Sequence, residues 1–133
     1  MSAVPEITQV LNRLAWGTDL RRIEYIESCY TPEARFTVTG DKGRVVEGRE
    51  AILAGIESTW AKTPPNIGHH LITNVLVERE TETDADVVSY KTVVRVVDDK
   101  PMVVSSGWYR DHFVKVEGAW RIEDRALTND AQI

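Results

Sequence analysis

The side chains best suited to proton transfer, metal binding or nucleophilic attack are three histidines, one cysteine and a scatter of carboxylates. His69 and His70 are adjacent, and His112 stands apart within Arg110-Asp111-His112. An imidazole has a reference pKa near ~6.5 and so accepts a proton at neutral pH. Neighbours on a regular strand point to opposite faces, so only one of His69 and His70 can enter an interior. For the same reason the two cannot chelate one ion, and no other histidine or cysteine cluster has metal-ligand spacing. Neither a metal nor a cofactor is expected. Gly40 and Gly43 belong to a hairpin turn rather than a phosphate-cradling loop, and no Gly-x-Ser-x-Gly elbow is present.

Composition narrows the setting. The chain has 133 residues, which suits one domain, 1–133, with a core that needs no staples. A net charge of −5 speaks against nucleic-acid and anionic-membrane partners, since both need a basic footprint. No window approaches the ~18 consecutive apolar residues of a membrane span. The first residues show no secretory pattern, and the lone Cys29 suits a reducing compartment, so a cytoplasmic location is expected.

The pattern then predicts the elements that must hold these side chains. Ile7, Val10, Leu11, Leu14 and Ala15 make one face of a helix over residues 5–16, with Pro5 in its first turn. Gly17 reads as an interruption, and Thr18 or Asp19 as the cap of a second helix carrying Leu20, Ile23, Ile26, Cys29 and Tyr30. A short hairpin follows, with Phe36 and Val38 before Gly40-Asp41-Lys42-Gly43 and Arg44-Val45-Val46 after it. A third helix spans about 49–62, with Ile52, Leu53, Ile56 and Trp60 on one face, and Pro64-Pro65 stops it. Four long strands complete the chain, at about 67–81, 85–97, 102–116 and 119–128. The fold class is α+β, with helices covering one face of an antiparallel sheet. Val-rich strands leave apolar surface on the other face, which predicts a homodimer through the outer sheet.

Several segments carry a resemblance. They are Gly17-Thr18-Asp19, Tyr30-Thr31-Pro32-Glu33-Ala34-Arg35-Phe36, Val46-Glu47-Gly48-Arg49-Glu50-Ala51-Ile52, His69-His70-Leu71-Ile72-Thr73-Asn74-Val75, Gly107-Trp108-Tyr109-Arg110-Asp111 and Gly118-Ala119-Trp120-Arg121-Ile122. In this order and spacing the chain resembles the nuclear-transport-factor-2-like superfamily. Within it, the chain is similar to the SnoaL-like branch that includes scytalone dehydratase and hexachlorocyclohexane dehydrochlorinase. The resemblance implies a cone-shaped α+β barrel in which three N-terminal helices pack on a strongly curved sheet around a pocket. It also implies that Asp19, at the break between the first two helices, faces His70 on the first long strand. The sequence departs from the scytalone dehydratase pattern at two places. Lys91 stands where a second histidine is expected, and Thr18 stands where a tyrosine precedes the aspartate. The pattern needing one aspartate and one histidine survives better.

These positions imply a chemistry. A carboxylate bonded to one imidazole nitrogen fixes the tautomer and stabilises the imidazolium that forms when the other nitrogen takes a proton. Asp19 and His70 are therefore the expected catalytic pair of a cofactor-independent lyase or isomerase. The alternatives are a non-catalytic binding module and an assembly subunit of the same fold. The expected ligand is a small hydrophobic molecule, bordered by Phe36, Trp60, Asn74, Tyr90 and Tyr109. Asn74 is expected on the face of His70 and Ile72, and Tyr90 or Tyr109 is expected to offer a hydroxyl to a developing oxyanion. Asp19 has a plainer reading too, as an ordinary helix N-cap.

Overall fold

A computed structural model describes residues 2–40, 43–65 and 68–132. The elements run α1 (Val4–Leu20), α2 (Ile23–Glu27), β1 (Tyr30–Val38), β2 (Arg44–Glu47), α3 (Arg49–Ala61), β3 (Gly68–Glu80), β4 (Asp84–Val97), β5 (Lys100–Val116) and β6 (Ala119–Gln132). Asp41 and Lys42 of the expected hairpin turn, and Asn66 and Ile67 before β3, lie outside the described residues.

The helical stripe of α1 buries Ile7, Val10, Leu11 and Leu14 against the sheet. Contrary to expectation, Gly17 does not end this helix. A Cβ there would meet Tyr25 Cβ at 2.9 Å and Ile26 Cγ1 at 3.1 Å, so the glycine is where α2 crosses closely over α1. The helix runs one further turn and stops at Arg21, which adopts a left-handed conformation with φ of 56°. Asp19 is thus in the last turn of α1 and is not the cap of a second helix. α2 is only five residues long, and Tyr30, expected on it, opens β1 instead.

All six strands form one sheet in the order β2-β1-β6-β5-β4-β3. β3 to β6 are antiparallel neighbours, as the pattern predicts. The exception to an antiparallel sheet is β1, which pairs parallel to β6. Only α3 lies in sequence between the β1–β2 hairpin and the long strands, and β1 pairs with the last strand rather than the next one. Register shifts occur at Thr73/Leu76, Val93/Val94, Ser106/Gly107 and His112/Phe113. Each inserts an extra residue that bends a strand and steepens its twist, which curls the sheet around the helices.

The concave face changes character along its length. At one end Ala85, Val87, Phe113 and Ile122 are fully buried among the residues of α1. Toward the other end the same face presents Ser89, Lys91, Ser105 and Gly107. The apolar end closes as core, and the other end leaves space.

Candidate active site

Two adjoining cavities occupy that space. The outer one, about 210 Å³, opens between the end of α1, α3 and β3–β4, and its walls include Asp19, Arg21, Trp60, Pro64, His70 and Arg95. The inner one, about 150 Å³, lies deeper and is bordered by Leu14, Tyr30, Phe36, Ile72, Tyr109 and Arg125. Thr18, Ile56 and His70 border both. His70 therefore stands where the two meet.

The local sequence explains the position of each partner. On β3, His70 and Ile72 are part-buried while His69 and Leu71 are exposed, so strand alternation turns His70 inward, and His69 borders the outer cavity alone whereas His70 borders both. Asp19 reaches it from the end of α1. Its Oδ1 lies 2.8 Å from His70 Nδ1, and the backbone N–H of His70 donates to both carboxylate oxygens, at 3.2 and 3.0 Å. The carboxylate is thereby fixed from two directions. Side-chain exposures of 30% for His70 and 17% for Asp19 make the pair accessible but not bathed in water. Among the described residues no side chain bonds His70 Nε2, the ring nitrogen left for a ligand. A carboxylate in the last turn of a helix sits at the negative end of the macrodipole, so Asp19 gains nothing there as a helix-stabilising group.

Arg21 holds the rim. Its guanidinium donates to the carbonyls of Trp60 and Thr63, capping the end of α3 and tying down the turn that walls the outer cavity.

The aromatic expectations divide. Trp60 borders the outer cavity, and Phe36 and Tyr109 border the inner one. Tyr109 is buried, and that burial pushes its phenol up, so it keeps its proton as a hydrogen-bond donor. Tyr90 lies elsewhere. It pairs with Trp108 and Thr73 on the convex face and is 56% exposed, because residues of one strand alternate and Lys91 takes the inward place. Asn74 is also displaced. It is the αL residue of the β3 bulge, with φ of 54° and an exposed side chain, and past it the inward face passes to Val75 and Val77. Neither Tyr90 nor Asn74 borders either cavity.

Two charged residues that the sequence pattern did not single out for the site form its floor. Arg125 bonds Asp111 through Nε at 2.8 Å and Nη2 at 3.1 Å, with both side chains buried, and its guanidinium lies 3.6 Å over the Tyr109 ring. Strand alternation from the buried Ile122 would send Asp124 inward, but the bulge at His112/Phe113 shifts the phase and Arg125 takes that place. Among the described residues, no group of three or more histidine, cysteine, aspartate or glutamate side chains is placed to hold a metal ion.

The SnoaL-like domain model matches residues 1–126, and the chain belongs to that family. No curated protein matches it. Among solved structures, it is similar to a Mycobacterium tuberculosis protein of unknown function, at 27% identity, with a TM-score of 0.83 over 96% of this chain and 71% of that one. A candidate scytalone dehydratase from Novosphingobium aromaticivorans is 18% identical, with a TM-score of 0.78 over 98% of this chain and 85% of that one. LinA is 14% identical, with a TM-score of 0.81 over 98% of this chain and 89% of that one. The last two are likenesses of fold. Among the described residues no helix is long and apolar enough to cross a membrane.

Proposed function

We propose that this protein is a cofactor-independent lyase or isomerase that removes a proton from a small, largely apolar molecule bound across the two cavities. The carrying observation is the 2.8 Å contact of Asp19 with His70 Nδ1 at the cavity junction. Asp19 holds the proton of the neutral ring on Nδ1, so Nε2 presents a lone pair to the ligand. When Nε2 takes a proton from carbon, the imidazolium is stabilised by the adjacent carboxylate. The electron pair left on carbon either expels a neighbouring leaving group or shifts into a conjugated carbonyl. In the second case His70 returns the proton at a new carbon. Tyr109, with its proton retained, is a donor for negative charge developing on the carbonyl oxygen. Trp60 and Phe36 supply apolar walls.

The same cavities could serve a binding module with no chemistry. The placement of Asp19 favours catalysis, since an apolar wall gains nothing from a carboxylate held at a helix C-terminus. Exposed Leu71, Leu76, Tyr90 and Val103 on the convex face support a homodimer through the outer sheet. Sedimentation at micromolar concentration checks this, and a monomer would contradict it. The single buried Cys29 is in keeping with a cytoplasmic setting.

The test is a panel of β-halo ketones, β-hydroxy ketones and β,γ-enones, each with and without a carboxylate substituent, incubated in deuterated water. The wild type is expected to eliminate, isomerise or exchange deuterium into at least one of them, and His70→Ala and Asp19→Asn are expected to lose that reaction. A reaction that persists in both variants, or a panel wholly inert to the wild type, contradicts the proposal.

A further inference from the structure

The cavities carry a charge opposite to that of the chain. The whole protein has a net charge of −5, yet among the described residues the cavity walls carry three arginines, Arg21, Arg95 and Arg125, against one carboxylate, Asp19. Two of the arginines are engaged, Arg21 with the carbonyls of the rim and Arg125 with Asp111. Arg95 borders the outer cavity and makes no ion pair among the described residues. Opposite it in the ladder is Gly68, which offers no side chain to cover it.

A second cation stands on the same face. Lys91 is only 7% exposed, and its Nζ bonds Asn129 Oδ1 at 2.7 Å, a neutral partner. No carboxylate pairs with it among the described residues. Gly107, beside Lys91 in the ladder, is needed for that approach: a Cβ there would lie 2.3 Å from the Thr128 carbonyl oxygen and 3.0 Å from Asn129 Cα. Burying an ammonium without a counter-ion is unfavourable, and burial lowers its pKa from the ordinary lysine value. The ladder places His70 opposite Val93, with Arg95 and Lys91 two residues to either side on β4. Each is about 7 Å along the strand from Val93, within the span of a long basic side chain.

We propose that the pocket selects small organic carboxylates, with Arg95 gripping the carboxylate at the mouth, the apolar body of the acid against His70, and Lys91, which borders neither cavity, adding a buried positive charge behind the wall. This rests on the cavity reading above and names its substrate class. A guanidinium meets a carboxylate through two parallel hydrogen bonds, whereas a neutral amide of the same shape gains neither the charge nor that geometry.

The test is an NMR titration of the full chain with benzoate and with its neutral isostere benzamide. Benzoate is expected to perturb the His70 and Val93 amides with an affinity at least tenfold above that of benzamide, and added salt is expected to narrow the gap. Arg95→Gln is expected to remove the preference, and Lys91→Met to reduce it severalfold. Arg95 is at the rim, so its variant decides the matter even if Lys91→Met folds poorly. Equal affinities, a preference that survives Arg95→Gln, or no binding of either probe would each overturn the proposal. Benzamide binding as tightly as benzoate while perturbing His70 would sink the carboxylate preference and leave the proton-transfer reading standing. Loss of the Asp19–His70 coupling, read on the ligand-free protein, would sink that reading and leave the benzoate preference untouched.

Discussion

The sheet carries two aspartate–histidine pairs, one on each face, and their contacts are nearly identical. His70 Nδ1 lies 2.8 Å from Asp19 and His112 Nδ1 lies 2.7 Å from Asp86. Everything around them differs. The inner pair joins a helix end to a strand, borders two cavities and leaves Nε2 without a partner among the described residues. The outer pair spans adjacent strands on the convex face, where Arg79 also bonds Asp86 and Asp84 lies 3.8 Å from His112 Nε2. Its ring has carboxylates at both nitrogens, and its groove is lined by charged side chains such as Glu78, Arg110 and Asp124. A short contact therefore does not make a site. A site needs a ring nitrogen turned toward enclosed space.

The largest expected effect follows directly. On any substrate the protein turns over, His70→Ala should lower the rate by roughly 10²–10⁴, the usual worth of a general base, while His112→Ala should leave it within a factor of about two. Comparable losses from both, measured as kcat/KM, would erase the distinction between the faces.

The next effect is on stability. Asp111→Ala leaves the Arg125 guanidinium buried and unpaired beneath the site, which should destabilise the fold by about 3–5 kcal/mol in urea denaturation. On the convex face Arg79→Ala removes an exposed ion pair and should leave the urea midpoint nearly unchanged.

Asp19→Asn should abolish activity but change stability by no more than about 1 kcal/mol, because easing a carboxylate at a helix C-terminus offsets weaker bonds to His70. A much larger loss in thermal denaturation would make Asp19 a structural residue.

The smallest effect belongs to Asp86. Hydrogen bonds from His112 and Arg79 hold its carboxyl below the usual aspartate value. The stabilisation is present above the unfolded aspartate value of about 3.9 and lost as pH falls through the lower folded one. Asp86→Asn should thus lose less than about 1 kcal/mol at neutral pH, and the difference from wild type should shrink in acid. A gap that widens on acidification would reverse the sign of this linkage.

Much of this was legible in the residues, and two of the failures at the site, Asn74 and Arg125, share one cause. Hydrophobic spacing located the helices and the four long strands, because burial on one face imposes a period. Alternation on β3 put His69 and His70 on opposite faces but did not choose between them, since Leu71 and Ile72 are both apolar. The resemblance to the SnoaL-like branch singled out His70 and joined it to Asp19. Alternation then failed wherever a bulge intervened. It misplaced Asn74, which occupies the bulge, and it hid Arg125, which enters the site only because the phase shifts after Ile122. Bulges depend on how strands pair across the whole sheet, so no local pattern announces them. Gly17 misled for a related reason. Its role is a close helix crossing, which is tertiary.

The most direct test of the account is the tautomer of His70, read from ring ¹⁵N and long-range ¹H NMR of the ligand-free protein at a pH where the ring is neutral. The account predicts a proton on Nδ1, bonded to Asp19, with Nε2 unprotonated, and a shift of the population toward Nε2–H in Asp19→Asn. A proton on Nε2 in the wild type, or the same tautomer ratio in both proteins, would contradict it.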